Sequence, residues 1–170
     1  MRTSSPGRFS TTVITAGLAM LTVAGAVAAQ QAPAAPGPDN LAFGTWRLDL
    51  SRSRYYPGPA PRSEVRTYAR DGDAVKATIT RVLADGRKEV LEYTAGYDNP
   101  ADVTGSADID RILMTRVDAS TAESVLSHGG TVYAIARRVV SGDGKTMTIT
   151  LRREGSTSIR NVQSYDRVTP

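Results

Sequence analysis

The chain has 170 residues, with 21 lysines and arginines against 17 acidic side chains, one histidine and no cysteine, for a formal charge of +4. Without cysteine there is no disulfide and no lipid-modified amino-terminal cysteine, and one histidine cannot build the usual zinc sites. Basic and acidic residues are interspersed along every segment, which excludes the concentrated basic stripe of a nucleic-acid surface.

The first segment, residues 1–29, carries Arg2 and Arg8, an apolar run from Val13 and small residues up to Ala28 and Ala29. This is the pattern of a secretory signal peptide. Thr15, Gly17, Thr22 and Gly25 interrupt the run, which falls short of the ~20 apolar residues a membrane span needs. The processed chain is therefore expected to be periplasmic or secreted and not membrane-spanning, with 19 basic against 17 acidic side chains. Residues 30–40, "QQAPAAPGPDN", have nothing to bury and read as a flexible linker. Residues 41–170 are long enough for one core and show no compositional break.

From Gly44 onward the hydrophobic period is two. "SEVRTYAR" (63–70) sets Val65, Thr67 and Ala69 against Glu64, Arg66, Tyr68 and Arg70, and "KTMTITLR" (145–152) sets Met147, Ile149 and Leu151 against threonines. Such alternation marks half-buried antiparallel strands. Asp71-Gly72, Asp85-Gly86, Gly129-Gly130, Asp143-Gly144 and Glu154-Gly155 supply tight turns between the runs. The spacing predicts strands near 44–49, 63–70, 74–83, 87–97, 110–117, 121–128, 131–141, 145–154 and 158–167. "LDLSRSRYY" is read as a single helical turn before Pro57, Pro59 and Pro61. The resulting fold is all-β: one antiparallel up-and-down barrel of about 8 to 10 strands, since closure removes exposed edges.

Trp46, the chain's single tryptophan, opens the first strand in "GTW" and is placed to plug one end of the barrel. Gly-x-Trp at this position of an exported barrel resembles the lipocalins and the wider calycin group. "GTWRLDLSRS", "PGPAPRSE" and "RRVVSGDGKTMTIT" resemble exported bacterial proteins of lipocalin-like type. The resemblance implies a barrel that binds small apolar molecules. It also implies a floor in which Gly44 and Trp46 are joined by an arginine of the last strand, Arg160 or Arg167, stacked on the indole. It brings no catalytic residues and no cofactor.

The remaining chemistry is sparse. His128 adjoins Gly129-Gly130 and is read as an exposed turn residue, leaving no base for nucleophilic catalysis. "YDNPADVTGSADID" holds Asp98, Asn99, Asp102, Asp108 and Asp110, but its spacing fails the calcium-loop pattern and suits turns, so no metal site is expected. In "TVYAIARRVV" the face with Tyr133, Ile135 and Val139 is the more apolar, which would turn Arg137 inward. Ile112, Met114 and Arg116 share a face, as do Leu91, Tyr93 and Tyr97. The candidate ligand-lining set is therefore Tyr93, Met114, Arg116, Tyr133 and Arg137, with an inward arginine clamping an acidic head group. A slip of one residue would exchange every face, and an ion pair with Glu92 or Asp166 is the structural alternative for the arginine. Tyr55 and Tyr56 sit in a connection placed over the barrel mouth. The expected function is binding of a small hydrophobic or acidic amphiphilic ligand in the bacterial envelope, without enzymatic activity. The competing class is a protein-interaction module, a protease inhibitor or envelope assembly factor, whose barrel is filled by side chains.

Overall fold

A computed structural model describes residues 40–168, all within the unit Ala32–Pro170. The predicted signal segment 1–29, and the linker apart from Asn40, lie outside the described residues. The alternation read from the sequence becomes ten antiparallel strands: β1 (Gly44–Arg54), β2 (Ser63–Asp71), β3 (Ala74–Val82), β4 (Lys88–Ala95), β5 (Pro100–Asp102), β6 (Arg111–Arg116), β7 (Thr121–His128), β8 (Thr131–Val140), β9 (Thr146–Arg152) and β10 (Ile159–Val168). Among the described residues there is no helix. The expected helical turn in "LDLSRSRYY" is instead a continuation of β1, in which the register against β10 jumps between Asp49 and Arg54. Asp49 Oδ1 accepts hydrogen bonds from the Ser51 amide and hydroxyl, 2.8 and 2.6 Å, and so shapes this bulge by local side-chain-to-backbone bonding.

The strands run in sheet order β4-β3-β2-β1-β10-β9-β8-β7-β6-β5, so the first and last strands pair and the barrel is nearly closed. The remaining seam, between β4 and β5, is bridged where Glu92 and Thr104 exchange backbone hydrogen bonds of 3.1 and 3.0 Å. Gly105 follows with φ +76°, and a Cβ there would stand 1.8 Å from the Val90 carbonyl oxygen, so the seam closes this tightly only on glycine.

One end of the barrel is sealed as the Gly-x-Trp motif implies. Trp46 is fully buried and its Nε1 donates to the Ala42 carbonyl at 2.8 Å. Arg167 lies across the indole, with Cζ 4.2 Å from the ring centre, and donates to the carbonyls of Leu41, Phe43 and Gly144. Gly44 has φ +123°, and a Cβ there would meet Arg167 Nη1 at 2.5 Å, so the glycine of the motif makes room for the arginine. Arg160 does not share this role. It lies next to the β9–β10 turn, at the far end of β10 from Arg167. Asn40, assigned to the linker from sequence, is buried in the floor, its Nδ2 donating to the Tyr97 hydroxyl at 3.1 Å. Above Trp46 the fully buried Tyr165, Met114, Met147 and Val75 pack the lower half of the barrel.

Candidate functional site

The upper half of the barrel is not filled. A cavity of about 480 Å³, within the range of small-molecule sites, opens between the loop after β1, which carries Tyr55, Pro59 and Pro61, the β3–β4 turn at Leu83 to Arg87, and the segment from Val103 to Ile109. The Tyr56–Pro57 and Gly58–Pro59 peptide bonds in the first of these are cis. One side of the wall is aliphatic, with Ile79, Leu91, Ile112, Leu126, Ile149 and Leu151. The other is polar, built on β2 and β10 by Glu64, Arg66, Asn161 and Gln163.

Strand β2 contributes this polar side because it turns Glu64, Arg66 and Tyr68 inward and leaves Val65, Thr67 and Ala69 on the other face. Glu64 is 2 % exposed, and its Oε1 accepts from Arg66 Nε and from the Tyr165 hydroxyl, both at 2.6 Å. Arg66 also donates to the Tyr165 oxygen at 3.0 Å and lies 5.3 Å from the centre of its ring. The Arg66 guanidinium is thus neutralised by a carboxylate of the chain itself. Burial pushes the Tyr165 phenol well above its ordinary pKa, keeping it a hydrogen-bond donor.

Arg138 on β8 is the second buried cation, 8 % exposed, with its guanidinium 4.8 Å above the centre of the Tyr68 ring. Its Nε is buried without a hydrogen-bond partner. Four arginines line the cavity. Arg66 is paired with Glu64, Arg81 with Glu89 and Arg87 with Asp85, whereas no carboxylate among the described residues pairs with Arg138. Burial works against its charge, but the phenols of Tyr68, Tyr93 and Tyr97 outweigh it and raise its pKa, so the guanidinium stays protonated. A buried charge without a carboxylate partner is costly to the fold and strongly attractive to an anion.

Burial alone would raise the Tyr68 phenol, yet Arg66 and Arg138 bring it below its ordinary value. A spectrophotometric alkaline titration should therefore show one phenol ionising below the usual pKa of about 10, and Arg138→Met should move it upward. Since the folded value lies below the unfolded one, this contribution to stability is complete above the unfolded pKa and is lost as pH falls through the folded value.

The positions expected from sequence divide. Tyr93 lines the cavity, and Tyr133 reaches its rim although 52 % exposed. Met114 faces inward but is packed in the core below the cavity. Arg116 ends β6 on the floor side, where its Nε donates to the Asp118 carbonyl at 3.3 Å, away from the cavity lining. Arg137 points outward, its side chain 47 % exposed and bonded to Glu123 at 2.7 Å, and the inward arginine is its neighbour Arg138. The expected partners Glu92 and Asp166 bond elsewhere, to Thr78 and Arg52. A bulge between Leu126 and Ser127 against β8 breaks the count of two at Tyr133, which is why that residue and the inward Arg138 can both touch the site.

Three carboxylates of 98–110 serve local structure, and the fourth, Asp108, is on the cavity lining. Asp98 accepts from the Thr115 hydroxyl at 2.9 Å, Asp102 pairs with Arg111, and Asp110 Oδ2 accepts from the Gly129 amide at 2.8 Å. Among the described residues no three acidic or histidine side chains are grouped to hold a metal ion, and there is no helix long and apolar enough to cross a membrane. His128 lies exposed on the outer rim, with Nδ1 3.8 Å from Asp110 Oδ2.

No family model and no curated protein matches the chain. Solved structures match its fold. A fatty acid binding protein of Schistosoma mansoni, in complex with arachidonic acid, superposes with a TM-score of 0.60 at 17 % identity, over 78 % of this chain and 100 % of that one. A fatty acid transporter described as REP1-NXSQ superposes with a TM-score of 0.57 at 14 % identity, over 75 % of this chain and 96 % of its own. At such identities the likeness is one of fold: this chain forms an antiparallel β-barrel like that of these fatty acid binding proteins.

Proposed function

We propose that the protein binds a small amphiphilic molecule with an anionic head group, of the fatty-acid class, inside the barrel, and acts as a carrier and not as an enzyme. The observation that carries this reading is Arg138, a buried cation facing a cavity with one aliphatic wall, its Nε unpartnered and, among the described residues, no carboxylate paired with it. A ligand carboxylate supplies the missing charge, and the aliphatic wall takes the hydrocarbon chain. Fatty acid ligation by the structural neighbours named above is in keeping with this. The amino-terminal pattern of residues 1–29 supports export, and with it a place for the carrier in the bacterial envelope or outside the cell.

Mixing the delipidated protein with palmitic acid is expected to give a one-to-one adduct in native mass spectrometry and saturable displacement of a fluorescent fatty acid. If no adduct forms, the carrier reading falls and the filled-barrel interaction module takes its place. The cavity volume speaks against that alternative.

A further inference from the structure

Arg138 accounts for an acidic head group, but not for the polar wall above it. Glu64 is almost fully buried and lines the cavity, yet both of its hydrogen bonds end on Oε1. Among the described residues nothing is bonded to its other oxygen, Oε2. On the same cavity the Tyr55 hydroxyl is buried and has no hydrogen-bond partner. Burial, then the nearby Glu64 charge, push the Tyr55 phenol up to about 12 against a loose contact with the Gln163 side chain, so at neutral pH it is a donor without a well-formed hydrogen bond. The wall therefore offers one unused anionic acceptor and one unused neutral donor.

We propose that this wall is a second subsite, and that the ligand is an acid carrying a hydroxyl group part-way along its chain, seated between Glu64 and Tyr55. The proposal rests on the acid-binding reading given above. A hydroxyl donates one hydrogen bond and accepts another, which is what Glu64 and Tyr55 together require. An ammonium group only donates and would leave the Tyr55 hydroxyl unsatisfied. A second carboxylate would be brought against the Glu64 charge. A plain methylene would leave both protein groups desolvated without partners, the situation in which a site discriminates most strongly against a ligand lacking the polar group. Glu64 stands four residues along β2 from Tyr68, the residue under Arg138. At the rise of a strand their Cα atoms are roughly 13 Å apart, with Arg66 between them bonded to both side chains, so the hydroxyl belongs part-way along the ligand chain, on the mouth side of the acid.

The test is a titration of the delipidated protein with stearic acid, a positional series of monohydroxystearic acids and octadecanedioic acid. In the wild type, the best hydroxystearic isomer should bind about tenfold more tightly than stearic acid, and the diacid more weakly than stearic acid. Tyr55→Phe, a change confined to one hydroxyl, should reduce the hydroxyl advantage to about threefold or less, both by weakening the hydroxy acid and by relieving the desolvation that stearic acid meets at the Tyr55 oxygen. Glu64→Gln should reduce the same advantage and, by releasing Arg66, improve binding of the diacid. If stearic acid binds but every hydroxy isomer binds no better than it, the second subsite is overturned and the acid-binding reading stands. An advantage that survives intact in Tyr55→Phe overturns it equally. If none of the acids binds, the acid-binding reading itself is overturned, and this inference with it.

Discussion

Arg138→Met is expected to weaken binding of palmitic acid by about a hundredfold, the scale of a charge-assisted hydrogen-bonded pair in a desolvated site, and to change binding of methyl palmitate by less than about threefold. The same substitution should stabilise the free protein by about 1–2 kcal/mol, because it replaces a buried charge lacking a carboxylate partner with an apolar side chain of similar length. These opposite signs separate a ligand-binding arginine from a structural one. A structural ion pair lost on mutation would lower stability and leave acid and ester equally affected. Isothermal titration calorimetry and urea unfolding of the two proteins measure both halves. Equal losses for acid and ester would remove Arg138 from the site.

Trp46→Ala is expected to cost about 3–5 kcal/mol, the largest single effect on folding that the structure implies. The indole is fully buried, donates to the Ala42 carbonyl and carries the Arg167 guanidinium on its face. Removing it leaves a cavity and strips Arg167 of its platform, although that arginine also ties the carbonyls of Leu41, Phe43 and Gly144 together. Gly44→Ala should destabilise through the same floor, because it asks for a Cβ where Arg167 Nη1 lies and at a φ that side chains seldom adopt. Urea unfolding followed by circular dichroism is the measurement. A loss below about 1 kcal/mol for Trp46→Ala would mean that the floor does not hold the barrel together.

Most of the fold could be read in the sequence because strand periodicity and tight-turn chemistry are local. Met147, Ile149 and Leu151 alternate with threonines in sequence and face inward in the barrel. The strand Pro100–Asp102 was not legible: three residues between turns are too few for alternation to appear, and what makes them a strand is pairing with β6. The site was harder, for a reason of the same kind. Alternation places apolar residues inside, but β2 turns Glu64, Arg66 and Tyr68 into the barrel and β8 turns Ala134, Ala136 and Arg138 inward while Tyr133 and Val139 stay exposed. Small and polar residues face a cavity, and the larger apolar ones of β8 cover the outside, so a face chosen by hydrophobicity alone selects Arg137 over Arg138. The bulge at Tyr133 adds a one-residue shift that no local pattern signals. The floor arginine was expected only through the resemblance that Gly44 and Trp46 carry, and the choice between Arg160 and Arg167 needed the register of β10.

The central claim is that a ligand carboxylate meets the Arg138 guanidinium inside the barrel. Carbon-13 NMR of carboxyl-labelled palmitic acid, bound to the wild-type protein and followed through acid pH, tests it at the reacting group. A bound carboxyl that stays ionised well below the range of an ordinary carboxylic acid, and returns to that range in Arg138→Met, is the predicted result. A bound carboxyl that titrates as it does in water, or is already protonated at neutral pH, would contradict the account.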